Sequence, residues 1–327
     1  MRLGGAFLGL QGGSGRRSWW VRDAIHHYQF APRQRAARQW GEIDPLARCS
    51  FVGASVAPRR WDLSSTDFGL YEGWGALVAS GVVSFARGSA AWTFGADGTL
   101  VAYSAGEHRL LDAGLVIEPA STNLLKGNTA LDGDFWFYFD DFDGRQVPIG
   151  GITGPDGTAS MAQATSNGIG ENVGFASSAY AQRNNMPELR FQAHSISAIV
   201  SGTSTAPYCV LIAKNRSLEM SGICFDIATG AVTNTFTEGG GTVSGAKVTA
   251  HGAFWRPSFE LDGWTHDETR IELYGTTSDS VSTMAELEAA ALPAGETLVG
   301  GWVQAEAGAV TSPIKTGSSS ATRAADQ

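Results

Sequence analysis

Beyond residue 82, apolar and polar positions alternate in short runs, and turn residues cut those runs at close intervals. A period of two puts successive side chains on opposite faces of a strand, so each run predicts a half-buried β-strand. Between 82 and 125 the runs are 82–85, 99–103, 107–111 and 115–118. Three turns separate them: Ala96-Asp97-Gly98, Ser104-Ala105-Gly106 and Asp112-Ala113-Gly114. In the first, Gly supplies the positive φ that other residues resist. Pro119 closes the series because it brings no ladder donor. Strands joined this tightly must be antiparallel, since a parallel crossover takes a dozen or more residues.

Further strands are predicted at 189–201, 208–213, 223–227, 231–236, 247–251, 254–261, 269–274 and 297–306. One helix interrupts them over 284–292. Thr283 caps it, Glu286 stands three residues on as the other half of a capping box, and Pro293 stops it. Short strands at regular spacing predict an all-β fold, an antiparallel two-sheet sandwich. Residues 1–82 follow neither period for long. A short helix is predicted at 32–39, with Pro32 in its first turn and Arg33, Arg35, Arg38 and Gln39 making it polar nearly all round.

Composition sharpens this reading. Forty-two glycines in 327 residues, with only 17% charged, suit tight turns, and 43% hydrophobic residues are ample for a core. The net charge of −9 is uneven: residues 1–75 hold ten Arg against six acids, a net of +4, which leaves −13 on the rest. An acidic body argues against nucleic-acid binding. Five of the ten tryptophans, Trp19, Trp20, Trp40, Trp61 and Trp74, fall in the basic segment. Large aromatics without a self-sufficient core point to an anchoring interface, the other reading being an irregular lobe packed on its own body. Cys49, Cys209 and Cys224 fit neither a disulfide framework nor a zinc site and read as buried thiols. The apolar run after Arg2 is eight residues with three Gly, too weak for a signal peptide, and no stretch approaches a membrane span.

Few residues point to chemistry. Alternation in 135–139 puts Phe135, Phe137 and Phe139 on one face, expected to be core, and Trp136 and Tyr138 on the other. Asp140, Asp141 and Asp143 follow. Asp141, Asp143 and Gly144 would fill three EF-hand positions, but Phe139 and Gly150 stand at the first and last, so that motif fails. A solvated turn and a looser calcium site both stay open; no other cofactor is indicated. His194 and Ser195 are strand neighbours on opposite faces, wrong for a base and its nucleophile. His26-His27 lacks ligand spacing, and Gly239-Gly240-Gly241 opens no helix. Glycosidase chemistry needs two carboxylates roughly 5–10 Å apart. Glu118, Glu260, Glu272 and Glu306 could be juxtaposed in a sandwich, but nothing singles out a pair among thirty-two acids.

Several pieces recur in a recognisable order. They are Phe85, Arg87, Ser89, Ala91, Gly98-Thr99-Leu100, Arg109, Gly114-Leu115, Ile117-Glu118-Pro119 and Thr122-Asn123-Leu124-Leu125. Later come Pro155-Asp156-Gly157-Thr158, the run 196–202, Phe225-Asp226, Phe254-Trp255-Arg256, Trp302-Val303-Gln304-Ala305-Glu306, Ser312-Pro313-Ile314 and Thr322-Arg323-Ala324-Ala325-Asp326. Together they resemble a module of phage tail-fibre, head-fibre and related virion (spike) proteins, over residues 83–327 and nothing before. The resemblance implies a jelly-roll sandwich similar to carbohydrate-binding and concanavalin-type modules, with residues 1–82 as a virion-attachment segment. It further implies a non-enzymatic, homo-oligomeric virion protein, made in a bacterial cytoplasm without membrane insertion. Its expected partners are other virion subunits and host-surface polysaccharide. Trp136 and Tyr138, with Asp140, Asp141 and Asp143, are the expected glycan-binding residues. A polysaccharide-depolymerising tailspike domain and a purely structural decoration protein are the alternatives.

Overall fold

The computed structural model describes residues 7–8, 19–20, 85–111, 114–129, 131, 136–139, 149–168, 173–177, 193–215, 219–238, 241–264 and 269–326. The chain divides into two compact units. The first gathers 1–88, 104–119 and 325–327, and the second holds 89–103 and 120–324.

In the first unit, β1 (Phe7–Leu8) pairs antiparallel with β2 (Trp19–Trp20). The predicted helix at 32–39 lies outside the described residues. In the second unit, β3 (Ala91–Phe94) and β4 (Leu100–Tyr103) form a hairpin. The predicted strands at 107–111 and 115–118 shrink, in the first unit, to the short pair β5 (Leu110–Leu111) and β6 (Gly114–Leu115). In the second unit, β7 is Ser121–Asn123. Then follow β8 (Trp136–Phe139), β9 (Ile149–Thr153), β10 (Ala159–Thr165) and β11 (Val173–Ser177). The long central strands are β12 (His194–Ser201), β13 (Tyr208–Lys214), β14 (Met220–Asp226) and β15 (Val232–Thr237). Last come β16 (Thr242–His251), β17 (Phe254–Asp262), β18 (Arg270–Thr276), helix α1 (Met284–Ala289), β19 (Thr297–Ala307) and β20 (Ala321–Arg323).

The fold is nearly all β and antiparallel, as the alternation predicts. Two six-stranded sheets carry it, in the orders β16-β17-β12-β19-β10-β9 and β15-β14-β13-β18-β11-β8. One apolar cluster draws on both: Ile196, Val200, Phe259 and Val303 from the first sheet, Phe175, Leu211, Ile223 and Leu273 from the second. Two sheets sharing one core make the body sandwich-like.

The outer faces are covered as well. The β3–β4 hairpin lays Phe94 and Leu100 on Met161, Ile199 and Trp302 of the first sheet. Beside it, β7 pairs with β20 (Thr122↔Thr322), and Leu124 N–H donates to the Ala305 carbonyl. On the second sheet, Val281 and Leu287 cover Val210, Ile212, Met220 and Tyr274. Helix α1 is held there by the predicted capping box, with Thr283 Oγ1 accepting from Glu286 N and Glu286 Oε2 from Thr283 N. Covered on both faces, every residue of β12 is buried, including its serines.

Turn chemistry fixes the hairpin's position. Gly98 has φ of 81°, and a Cβ there would meet the backbone of His251 and Gly252 at 2.5 Å. Only glycine allows that approach.

Candidate functional site

The expected glycan platform is corrected in its first residue. Trp136 is fully buried (0% exposed) in the shared core, and its Nε1–H donates to the Lys126 carbonyl at 3.0 Å. Trp136 belongs to the inner face: β8 joins the second sheet beside β11, with Trp136 opposite Ser177. Its ring offers no surface to a sugar. Tyr138 pairs with Phe175 in β11. The side chain of Tyr138, and Asp140, Asp141 and Asp143 altogether, lie outside the described residues. In the expected anchor, Trp19 and Trp20 form β2, while Trp40, Trp61 and Trp74 lie outside the described residues.

Three of the four candidate acids are engaged by other side chains. Glu306 is buried, accepts from Ser121 Oγ and Thr311 Oγ1 on one oxygen, and from Gln304 Nε2 (2.6 Å) and Thr311 N (2.8 Å) on the other. Glu272 Oε2 takes Lys214 Nζ and the Tyr274 hydroxyl, both at 2.7 Å. Burial, reinforced by the Glu272 charge, pushes the Tyr274 phenol well above its usual value. Glu118 pairs with Arg109, and Glu260 stands exposed on β17. Among the described residues no group of three or more His, Cys, Asp or Glu could hold a metal ion, and no helix is long and apolar enough to cross a membrane.

What the sequence does bring together is a buried ion-pair clamp in the first unit. Asp326 Oδ1 accepts from Arg87 Nη1 at 3.1 Å, and Oδ2 accepts from Arg109 Nη2 at 2.6 Å and from Glu118 N at 2.9 Å. Arg109 Nη1 donates to Glu118 Oε2 at 2.8 Å, and Arg87 Nη2 to the Ser104 carbonyl at 2.7 Å. The side chains of Arg87, Arg109 and Asp326 have no exposure. Two cations face two carboxylates, and short charge-assisted bonds join them, although Arg109 Nε is buried without a hydrogen-bond partner. Its chemistry is that of a staple: no substrate reaches it.

A second arrangement, on the second unit, is open to solvent and was not foreseen. Trp302 meets Trp92 edge-on, with ring centroids 5.3 Å apart at 66°. A β-bulge creates this contact: Gln304 pairs with Ser197 and Gly301 with Ile199, so β19 carries an extra residue, and Trp302 takes φ of 50°. The bulge turns Trp302 out of the shared core and under the β3–β4 hairpin, where its Nε1–H donates to Ser160 Oγ at 3.1 Å. Lys315 lies over both indoles, Nζ 5.5 Å from the Trp92 centroid and 5.6 Å from that of Trp302, and 3.7 Å from Asp156 Oδ2. Burial opposes the charge on Asp156, yet bonds from Ser160 and Thr158 and the nearby Lys315 outweigh it and hold the carboxyl below its usual range. Trp92 is half-buried, and the Lys315 side chain is 43% exposed. This is an aromatic face beside a cation, a combination suited to binding. Pro155-Asp156-Gly157-Thr158 stands out as a turn in the sequence, but 223 residues separate Trp92 from Lys315, and nothing local joins them. Compared with known proteins, the chain matches no family model and no curated protein.

Proposed function

We propose that this chain is a non-enzymatic virion structural protein, a head or tail fibre or spike. Residues 1–82 attach it to other virion subunits, and its sandwich-like body, of jelly-roll type, meets host-surface polysaccharide. The observation that carries this reading is the meeting of motif pieces drawn from both ends of the module. Arg87, Arg109 and Glu118 gather on Asp326 in one unit, and Thr122 pairs with Thr322 in the other. Residues picked out by their order in sequence are mutual partners in the fold, which supports reading them as one module.

Adsorption on this reading is collective. One shallow sugar site binds near the millimolar range, about 4 kcal/mol, and several copies in a homo-oligomer raise avidity about a hundredfold or more without new contacts. The test compares the full chain with a form lacking residues 1–75. The shortened protein should fold and stay soluble but no longer join particles, and the assembled full chain should retain host polysaccharide without releasing reducing ends. Shortened polysaccharide would instead identify a depolymerase, and particle assembly by the shortened form would refute the attachment role.

A further inference from the structure

We infer that Lys315, Trp92 and Thr158 form a subsite for a carboxylated sugar, a uronate-type residue within a glycan, an inference that rests on the adsorption reading above. Lys315 carries the argument. Among the described residues its ammonium has no hydrogen-bond acceptor; its contacts are two indole rings and one carboxylate oxygen at 3.7 Å. Other cations sit differently: Lys214 reaches Glu272 at 2.7 Å, and Arg256 reaches the Thr311 carbonyl at 2.7 Å. Asp156 Oδ2, which takes Thr158 Oγ1, lies 3.7 Å from the ammonium, beyond hydrogen-bond distance, while Oδ1 takes Ser160 Oγ and Thr158 N.

An ammonium held in place by ring faces, with its N–H directions open, is pre-organised for an acceptor that arrives from solvent. A carboxylate fits best, since a charge-assisted bond is about twice as strong as a neutral one. The neighbouring surface supplies the rest. Trp92 is half-buried and offers part of its indole to the apolar side of a pyranose, and Thr158, exposed on the β9–β10 turn, has a hydroxyl oxygen that can accept from a sugar hydroxyl. Trp302 is not itself a contact: it is buried beneath and fixes Lys315 from below, tied to Ser160. The acidic body, net −13 beyond residue 75, repels a densely charged polyanion at a distance. The fitting ligand is therefore a uronate spaced by neutral sugars.

The experiment titrates the full chain with a short neutral oligosaccharide bearing one glucuronate and with its methyl ester, which differ in charge, following tryptophan fluorescence and heat. The acid should bind about tenfold tighter than the ester and lose that advantage as salt rises. Lys315→Met should abolish the difference while leaving the melting midpoint in place, Lys315→Arg should retain it, and Trp92→Leu should weaken both ligands. Equal binding of acid and ester, or an acid affinity unchanged in Lys315→Met, overturns the subsite and leaves adsorption standing. No retention of either ligand, or of any neutral glycan, by the assembled oligomer overturns both.

Discussion

Replacing Asp326 tests the clamp most directly. Its carboxylate joins Arg87 at 3.1 Å, Arg109 at 2.6 Å and the Glu118 amide at 2.9 Å, with no solvent reaching the three side chains. Without it, Arg87 keeps the Ser104 carbonyl and Arg109 keeps Glu118, but two buried cations then face one carboxylate. Removing one partner of a buried pair costs about 3–5 kcal/mol, far more than an exposed pair, because the remaining charge stays desolvated. Asp326→Asn should cost nearly as much as Asp326→Ala. Its carbonyl can accept from one arginine, but its NH2 must then point at the other donor. The double change Arg87→Met with Asp326→Leu restores charge balance, one cation to one carboxylate, and should cost clearly less than the sum of the two single changes. The assay is urea unfolding, with hydrogen exchange over residues 104–119 to locate the loss. A loss below about 1 kcal/mol, or an Asn variant as stable as the parent, would refute the electrostatic reasoning.

Three further outcomes are expected. Trp302→Ala should lower stability by about 3–5 kcal/mol, since it empties the space between Trp92, Met161 and Ile199; a near-neutral thermal midpoint would contradict the packing. Gly98→Ala should cost about 2–4 kcal/mol, because the new Cβ must both hold φ near 81° and clear the His251 and Gly252 backbone at 2.5 Å; calorimetry reads it directly. Burial, helped by Arg256, lowers the His251 imidazole from 6.5 to about 4 where it stacks on Phe94. The unfolded chain therefore binds the proton more readily. The stabilisation from neutral His251 is complete above pH 6.5 and drains away as pH falls toward 4. After allowance for the part of the ring that water reaches, about 1–2 kcal/mol is involved. Urea midpoints at pH 7.5 and 4.5 should converge in His251→Phe, and an unchanged pH dependence there would exclude this group.

The strands of the second half were legible because each carries its own signal. β13, β17, β18 and β19 begin and end within a few residues of the runs that predict them, and the turn at Gly98 and the capping box of α1 are local chemistry. Short strands such as β3 and β20 were not legible. A three- or four-residue run has too few periods to stand out, and those strands exist because a partner strand, not their own pattern, holds them.

By itself, then, the sequence determined the class: alternation and turn residues settle an antiparallel all-β chain, since both act through neighbours along the backbone. Burial was decided by the tertiary structure. Ser197, Gln304 and Glu306 sit at polar positions of alternating runs, yet all are buried, because segments from far along the chain close over that face and bring polar partners with them. The same holds for the tryptophans. Period two says that Trp136 and its neighbours alternate, but which face meets the core depends on the strand beside them. It was a single extra residue in β19 that turned Trp302 outward to meet Trp92 and Lys315. A candidate site made of side chains more than two hundred residues apart, aligned by a bulge, has no local signature, since its geometry arises only when the sheet pairs.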